Sequence, residues 1–291
     1  MKETNVYEVA GHRFAVTADS SLLESMQNQY GPFLLRDATP DDVLFTLKVA
    51  DENDLVPNSC EEDIVQDDDT QRIGIGSIGN QSFFSFWLGQ QLEGRLITSA
   101  DHNHSLLALD GSQHLYALNN ALMVLYMLAT APLSTLVFHS SVTIHGGKGY
   151  MFLGVSGTGK STHSQLWLNY IEDTELLNDD NPVVRILPDG EVRVYGTPWS
   201  GKTPCYRNRS CPVGALVKLE QAPKNEIRRL RAIEAYAEVV PGISGKRWDR
   251  ALADALHATE DALIQKVPVY LLRCLPDEAA ARLCCKTVSN D

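Results

Sequence analysis

Residues 154–162 read Gly154-Val155-Ser156-Gly157-Thr158-Gly159-Lys160-Ser161-Thr162, a G-x-x-x-x-G-K-[ST] run. An apolar, β-prone segment, Tyr150-Met151-Phe152-Leu153, precedes it, and a helix-compatible one, residues 162–170, follows. The glycines let the backbone turn sharply from strand to helix and aim its N–H groups at an anion. The positive end of the helix dipole adds to that cradle. In such a pattern Lys160 reaches the β- and γ-phosphates of a nucleotide, and the Ser161 hydroxyl holds Mg²⁺. Gly154, Ser156, Gly157, Thr158, Gly159 and Thr162 supply the rest of the cradle. A Gly/Ser-rich turn that matches by chance is the competing reading, and the flanking strand and helix count against it.

The chain is 291 residues long, room for one large domain or two smaller ones. Its net charge of −12 argues against a nucleic-acid surface or an anionic membrane as partner, while leaving space for a local basic pocket. The N-terminus has no apolar core of signal-peptide length, and no uninterrupted apolar run approaches the ~20 residues of a membrane helix. The six cysteines show neither a C-x-x-C pair nor zinc spacing, so free thiols in a reducing cytoplasm are expected. Cys284 and Cys285 are expected on different sides of a helix. A homo-oligomer is compatible with all of this.

Working back from the loop, residues 136–144 and 148–153 read as a hairpin around Gly146-Gly147, and 115–130 as a buried helix. Residues 5–9 and 12–17 read as a hairpin, 20–30 as a short helix and 42–49 as a strand. The acidic stretch 51–70 reads as a solvated loop. Residues 72–78, 81–88, 95–99 and 104–109 read as strands. Residues 1–110 are thus expected to form a small antiparallel, β-rich region, with a nucleotide-binding domain over 111–291. Working forward, residues 175–177 read as a strand running into Asn178-Asp179-Asp180, with a hairpin over 183–187 and 191–195. A long loop, 196–212, carries Lys202, Arg207 and Arg209. A strand over 213–220, helices near 226–239 and 247–265, a strand over 267–273 and a helix over 277–286 complete the chain.

Asp179 and Asp180 follow Lys160 by about twenty positions at a strand end. Phosphoryl transfer needs a carboxylate to hold Mg²⁺ and, for a hydroxyl acceptor, a proton acceptor. Neighbours in an extended segment point apart, so one aspartate can face the metal and the other the acceptor. The three cations of the 196–212 loop are expected to bring at least one positive charge to the nucleotide or acceptor.

His139, the 154–162 loop and Asp179-Asp180, in that order and spacing, resemble the catalytic core of the HPr kinase/phosphorylase family and the related nucleotide site of phosphoenolpyruvate carboxykinase. The similarity is best over residues 136–184 and weaker to about 219. It implies a mixed α/β phosphate-loop domain with a mixed sheet. It also implies Asp179 as the base and Asp180 as the metal ligand, an order that the residues themselves leave open. His139 resembles a histidine placed near the transferred phosphate, although a lone histidine in an apolar strand is ordinarily a core residue. The chain departs from the family at Thr162-His163, where the HPr-specific kinases carry an acid, and in lacking their second glycine-rich signature.

The resemblance implies an ATP- and Mg²⁺-dependent kinase acting on a hydroxyl of a protein, peptide or small molecule. A nucleotide-binding regulatory or assembly protein with weak or no catalysis is a second reading, and a carboxykinase-like enzyme of a small acid a third. The paired aspartates favour catalysis, because nucleotide affinity alone needs only the loop and one metal ligand.

Overall fold

A computed structural model describes residues 2–68, 70–201 and 203–289. The chain forms two compact units, one ending at Ala129 and the other beginning at Thr130.

In the first unit, β1 (Lys2–Val9) and β2 (His12–Asp19) form a hairpin, followed by α1 (Ser20–Ser25) and α2 (Gln27–Tyr30) in place of one expected helix. Then come β3 (Leu34–Leu35), β4 (Phe45–Val49), β5 (Glu62–Asp68), β6 (Gln71–Ile78), β7 (Gln81–Leu88), β8 (Gln91–Thr98) and β9 (His104–Leu109). They make one sheet in the order β3-β1-β2-β4-β9-β8-β7-β6-β5. The expectation of an antiparallel region needs correction: β4 runs parallel to both β2 and β9, so the sheet is mixed. A second correction is β5, which pairs with β6 where acidic composition pointed to a loop. β5 is an edge strand of this sheet.

The helix α3 (His114–Thr130) belongs to this unit. Tyr116 donates to the Trp87 carbonyl (2.8 Å) and Tyr126 to that of Val9 (2.9 Å), tying the helix to the sheet. The division falls at 129/130, whereas the sequence reading places it at 110/111. Among the described residues, the stretch His114–Leu133 has the length and apolar content to cross a membrane, unlike the expectation from uninterrupted runs. More than half of it is buried inside the protein, with Leu118, Leu122 and Leu125 fully enclosed.

The second unit contains β10 (Thr135–Phe138), β11 (Ser140–His145), β12 (Lys148–Leu153), α4 (Lys160–Tyr170), β13 (Glu175–Asp180), β14 (Val183–Ile186), β15 (Val192–Tyr195), β16 (Ser210–Gln221), β17 (Glu226–Arg229), α5 (Ala232–Val239), β18 (Ile243–Ser244), α6 (Arg250–Lys266), β19 (Val269–Cys274) and α7 (Glu278–Val288). The sheet order is β13-β11-β12-β16-β15-β14-β10-β18, with β19 also on β16 and β17 on β19. Parallel pairs β12–β16 and β16–β19 sit among antiparallel ones, so the fold is α/β with a mixed sheet. β16 pairs with β15 through its first residues and with β12 and β19 through its last, joining the two halves.

Two readings change here. The expected strand over 136–144 breaks at His139, because β10 pairs with β14 and β18 while β11 pairs with β12 and β13. The His139 N–H donates to the Gly242 carbonyl at the break (2.7 Å). The expected helix over 226–239 begins as strand β17, held on β19, and turns helical only at Ala232.

One core explains the packing of α4 and α7. Tyr150 and Phe152 of β12, Ala215, Val217 and Leu219 of β16, and Tyr270 and Leu272 of β19 alternate onto one face. Trp167 of α4 and Ala281, Cys284, Cys285 and Val288 of α7 cover it. Cys284 and Cys285 are therefore not on different sides as expected: a wide apolar stripe admits neighbours 100° apart, and both are buried. All six cysteines are free thiols.

Within this core His163 stacks edge-on against Phe152 (4.7 Å) and accepts a hydrogen bond at Nε2 from the Trp167 indole (3.1 Å). Burial lowers its pKa to about 4. Between that value and the ~6.5 of an unfolded histidine the unfolded chain binds the extra proton, so stability falls as pH drops through this window and is flat above it. His163 should cost the protein about 2 kcal/mol between pH 7 and pH 5. Urea titrations at both values should show a loss that His163→Phe reduces by that amount; equal losses in the two proteins would contradict the assignment.

Candidate functional site

β12 delivers the chain into the 154–159 loop, where Gly157 and Gly159 take φ of 78° and 106°. Those left-handed values suit glycine and strain other residues. The resulting turn starts α4 at Lys160, with Gly159 as N-cap and no side chain bonded to the helix start. By contrast, Asp249 caps α6 and Asp277 caps α7. The first-turn N–H groups of α4 are thus left for an outside acceptor, at the positive end of the dipole. Lys160 Nζ lies over the loop, donating to the carbonyls of Gly154 (2.9 Å) and Val155 (3.4 Å). Burial lowers the Lys160 pKa; Asp180 and Asp179 oppose this and Lys218 adds to it.

Asp179 and Asp180 end β13 and point to opposite faces. Asp179 lies opposite Ser141, whose hydroxyl bonds to Ser164 of α4 (2.6 Å), so Asp179 is on the helix side. It is 5% exposed, and among the described residues neither carboxylate oxygen has a hydrogen-bond partner. Such a charge is costly to bury unless a cation meets it. Asp180 is more open, with His139 Nε2 at 3.6 Å from its Oδ1. Burial raises the Asp180 pKa, against the pull of His139 and Lys160. Burial and then Lys160 lower that of His139, with Asp180 opposing. The loop lysine, the break histidine and both acids therefore share one electrostatic neighbourhood.

Asn178 escapes a sequence reading. Fully buried, it donates to Thr197 Oγ1 (3.1 Å) and the Trp199 carbonyl (3.2 Å) and accepts from the Asp180 N–H (3.0 Å). Its only sequence signal is the i−2 position to Asp180, which puts both on one face. The Gly201 N–H donates to the Asp179 carbonyl (3.3 Å), and a Cβ at Gly201 would stand 2.9 Å from that oxygen. Only glycine lets the loop lie this close. Lys218 was also missed; it stands beside Leu153 in the parallel register and lines the outer rim of the loop with Ser156 and Thr158.

The cations of the 196–212 loop fall differently. Lys202 lies outside the described residues. Arg207 and Arg209 both bond to Glu175 Oε2, at 2.8 and 2.7 Å. Glu175 starts the strand that Asp180 ends, roughly 16 Å away at the usual rise per residue. The structure does not bring these two guanidinium groups to the acid pair, because a nearer carboxylate holds them.

Ser161 is exposed on the first turn of α4. Among the described residues no three His, Cys, Asp or Glu side chains cluster as a metal cage. A Mg²⁺ ion, which keeps waters and leans on one or two carboxylates and phosphate oxygens, requires no such cage. The partnerless Asp179 carboxylate beside the loop fits a cation there. On the other flank of the loop a cavity of about 670 Å³ is lined by Thr162, His163, Leu166, Leu219, Gln221 and Leu275.

No family model matches the chain, and no curated protein matches it in sequence. Among solved structures it is similar to the Hpr(Ser) kinase/phosphatase from Coxiella burnetii, at 12% identity and a TM-score of 0.32, over 53% of this chain and 94% of that one.

Asp179→Asn removes a buried charge that has no hydrogen-bond partner. The variant should be about 1–3 kcal/mol more stable than the parent in the absence of ligand. A urea midpoint that falls instead would show that the carboxylate is already compensated.

Proposed function

We propose that this chain is an ATP- and Mg²⁺-dependent phosphotransferase of the HPr serine kinase-like group, transferring the γ-phosphate to a hydroxyl of a protein, peptide or small molecule. One observation carries the reading: an uncapped phosphate-loop helix and its lysine sit within electrostatic reach of two carboxylates, one of them buried with no hydrogen-bond partner among the described residues. Binding alone would leave that buried charge without a purpose.

The roles follow from the faces of β13. The α4 N–H groups and Lys160 hold the β- and γ-phosphates and offset their charge. Ser161 and Asp179, both on the α4 side, are the side chains that would hold Mg²⁺, which supplies charge neutralisation at the phosphates when bound. Asp180 is the carboxylate an acceptor hydroxyl can approach, and burial raises its pKa, which suits a proton acceptor. This reverses the order implied by the family resemblance. His139, kept neutral by burial and by Lys160, flanks Asp180 where the acceptor arrives. Asn178 holds the Asp180 backbone and the 197–199 segment in register.

The test uses γ-labelled ATP, Mg²⁺ and a cell extract with the parent protein and with Lys160→Ala. Label should pass to an acceptor with the parent, and the variant should transfer at least about 100-fold less. Release of free phosphate with no labelled acceptor would instead support a nucleotide-binding regulatory protein.

A further inference from the structure

The cavity beside the phosphate loop has a directional relation to the acids. In the sheet order β13-β11-β12-β16-β19 the acids end β13, two strands to one side of the loop strand β12. The cavity lies on the other side, at the ends of β16 (Leu219, Gln221) and β19 (Cys274) and against α4 (Thr162, His163, Leu166). A nucleotide with its γ-phosphate toward the acids must run back past the first turn of α4, and its base emerges on this flank. The volume of about 670 Å³ lies within the range of small-molecule sites. Leu166, Leu219, Leu275 and Pro276 give it apolar walls suited to a flat ring.

One polar atom there is fixed by the core. His163 is only 3% exposed, and its Nε2 accepts the Trp167 indole N–H at 3.1 Å. An indole nitrogen donates and never accepts, so the imidazole proton resides on Nδ1. Among the described residues no group bonds to Nδ1, and it is not sealed off as the Nδ1 atoms of His102 and His145 are. Besides the Thr158 and Thr162 hydroxyls and the Gln221 carboxamide, the cavity lining therefore carries an imidazole N–H whose tautomer a tryptophan holds.

We infer that this cavity seats the purine base of the nucleotide, with the His163 Nδ1–H donating to a ring nitrogen. The inference rests on the phosphate-loop reading above and adds the base contact to it. Trp167 is the positioning residue, since its indole sets the tautomer. Apolar walls with a fixed imidazole donor favour a base that offers an unprotonated ring nitrogen at its edge.

Calorimetry with ATP and with inorganic triphosphate separates the two levels. The parent should bind ATP more tightly than triphosphate. His163→Phe, which keeps a ring but lacks the donor, should weaken ATP about tenfold and leave triphosphate unchanged. Unchanged ATP affinity, or equal weakening of both ligands, overturns the base assignment. Failure of the parent to bind either ligand overturns the phosphate-loop reading itself. Should His163→Phe not fold, Trp167→Phe provides the second variant: with the tautomer released, ATP affinity should fall while triphosphate affinity holds, and no selective loss counts against the proposal. The ¹⁵N-bound Nδ1 proton of His163 should also shift on adding ATP and stay put with triphosphate.

Discussion

Among the described residues no side chain caps the backbone N–H groups at the start of α4, and the second unit is arranged around that deficit. Two glycines at positive φ bring the chain out of β12 and into the helix with no side chain across its N-terminus. The other long helices of the unit close theirs with aspartates. An uncapped helix end is stable only when packing elsewhere holds it. Here Trp167 in the next turns is fully enclosed against β12, β16, β19 and α7, so the helix is anchored by its core face while its start stays open.

Strand order then decides what stands on each side of the opening. Antiparallel pairing of β13 on β11 carries Asp179 and Asp180 toward one flank, and the break at His139 places an imidazole beside Asp180. Parallel pairing of β16 and β19 beyond β12 leaves their ends on the other flank, where apolar side chains predominate. The acids are gathered on one side, and the cavity on the other is lined by no charged side chain among the described residues. The same helix serves both, through Lys160 and Ser161 at its tip and His163 in its first turn.

The aspartates show how a backbone alternation separates two similar groups. Asp179 is enclosed on the α4 side with no carboxylate hydrogen bond among the described residues, while Asp180 pairs with Ser200 and remains accessible. Asn178 and Gly201 make this arrangement possible, one by bonding backbone to loop and the other by having no Cβ. The outcome is a preorganised patch of charge, which is what electrostatic stabilisation of a phosphoryl group asks for.

Local patterns were legible in the sequence because their physics is local. The phosphate loop, the strand before it, the helix after it, the hairpins of both units and the length of α3 follow from glycine placement and apolar periodicity over a few residues. Nonlocal pairing was not. The parallel course of β4, the strands β5 and β17, and the break at His139 depend on which distant strand lies alongside. Arg207 and Arg209 looked poised for phosphate until the register put Glu175 next to them. By itself the sequence determined that an anion cradle precedes a pair of acids. Tertiary structure alone decided which acid is buried and which cations are engaged elsewhere, because each depends on contacts between residues far apart in the chain or on opposite faces of one strand.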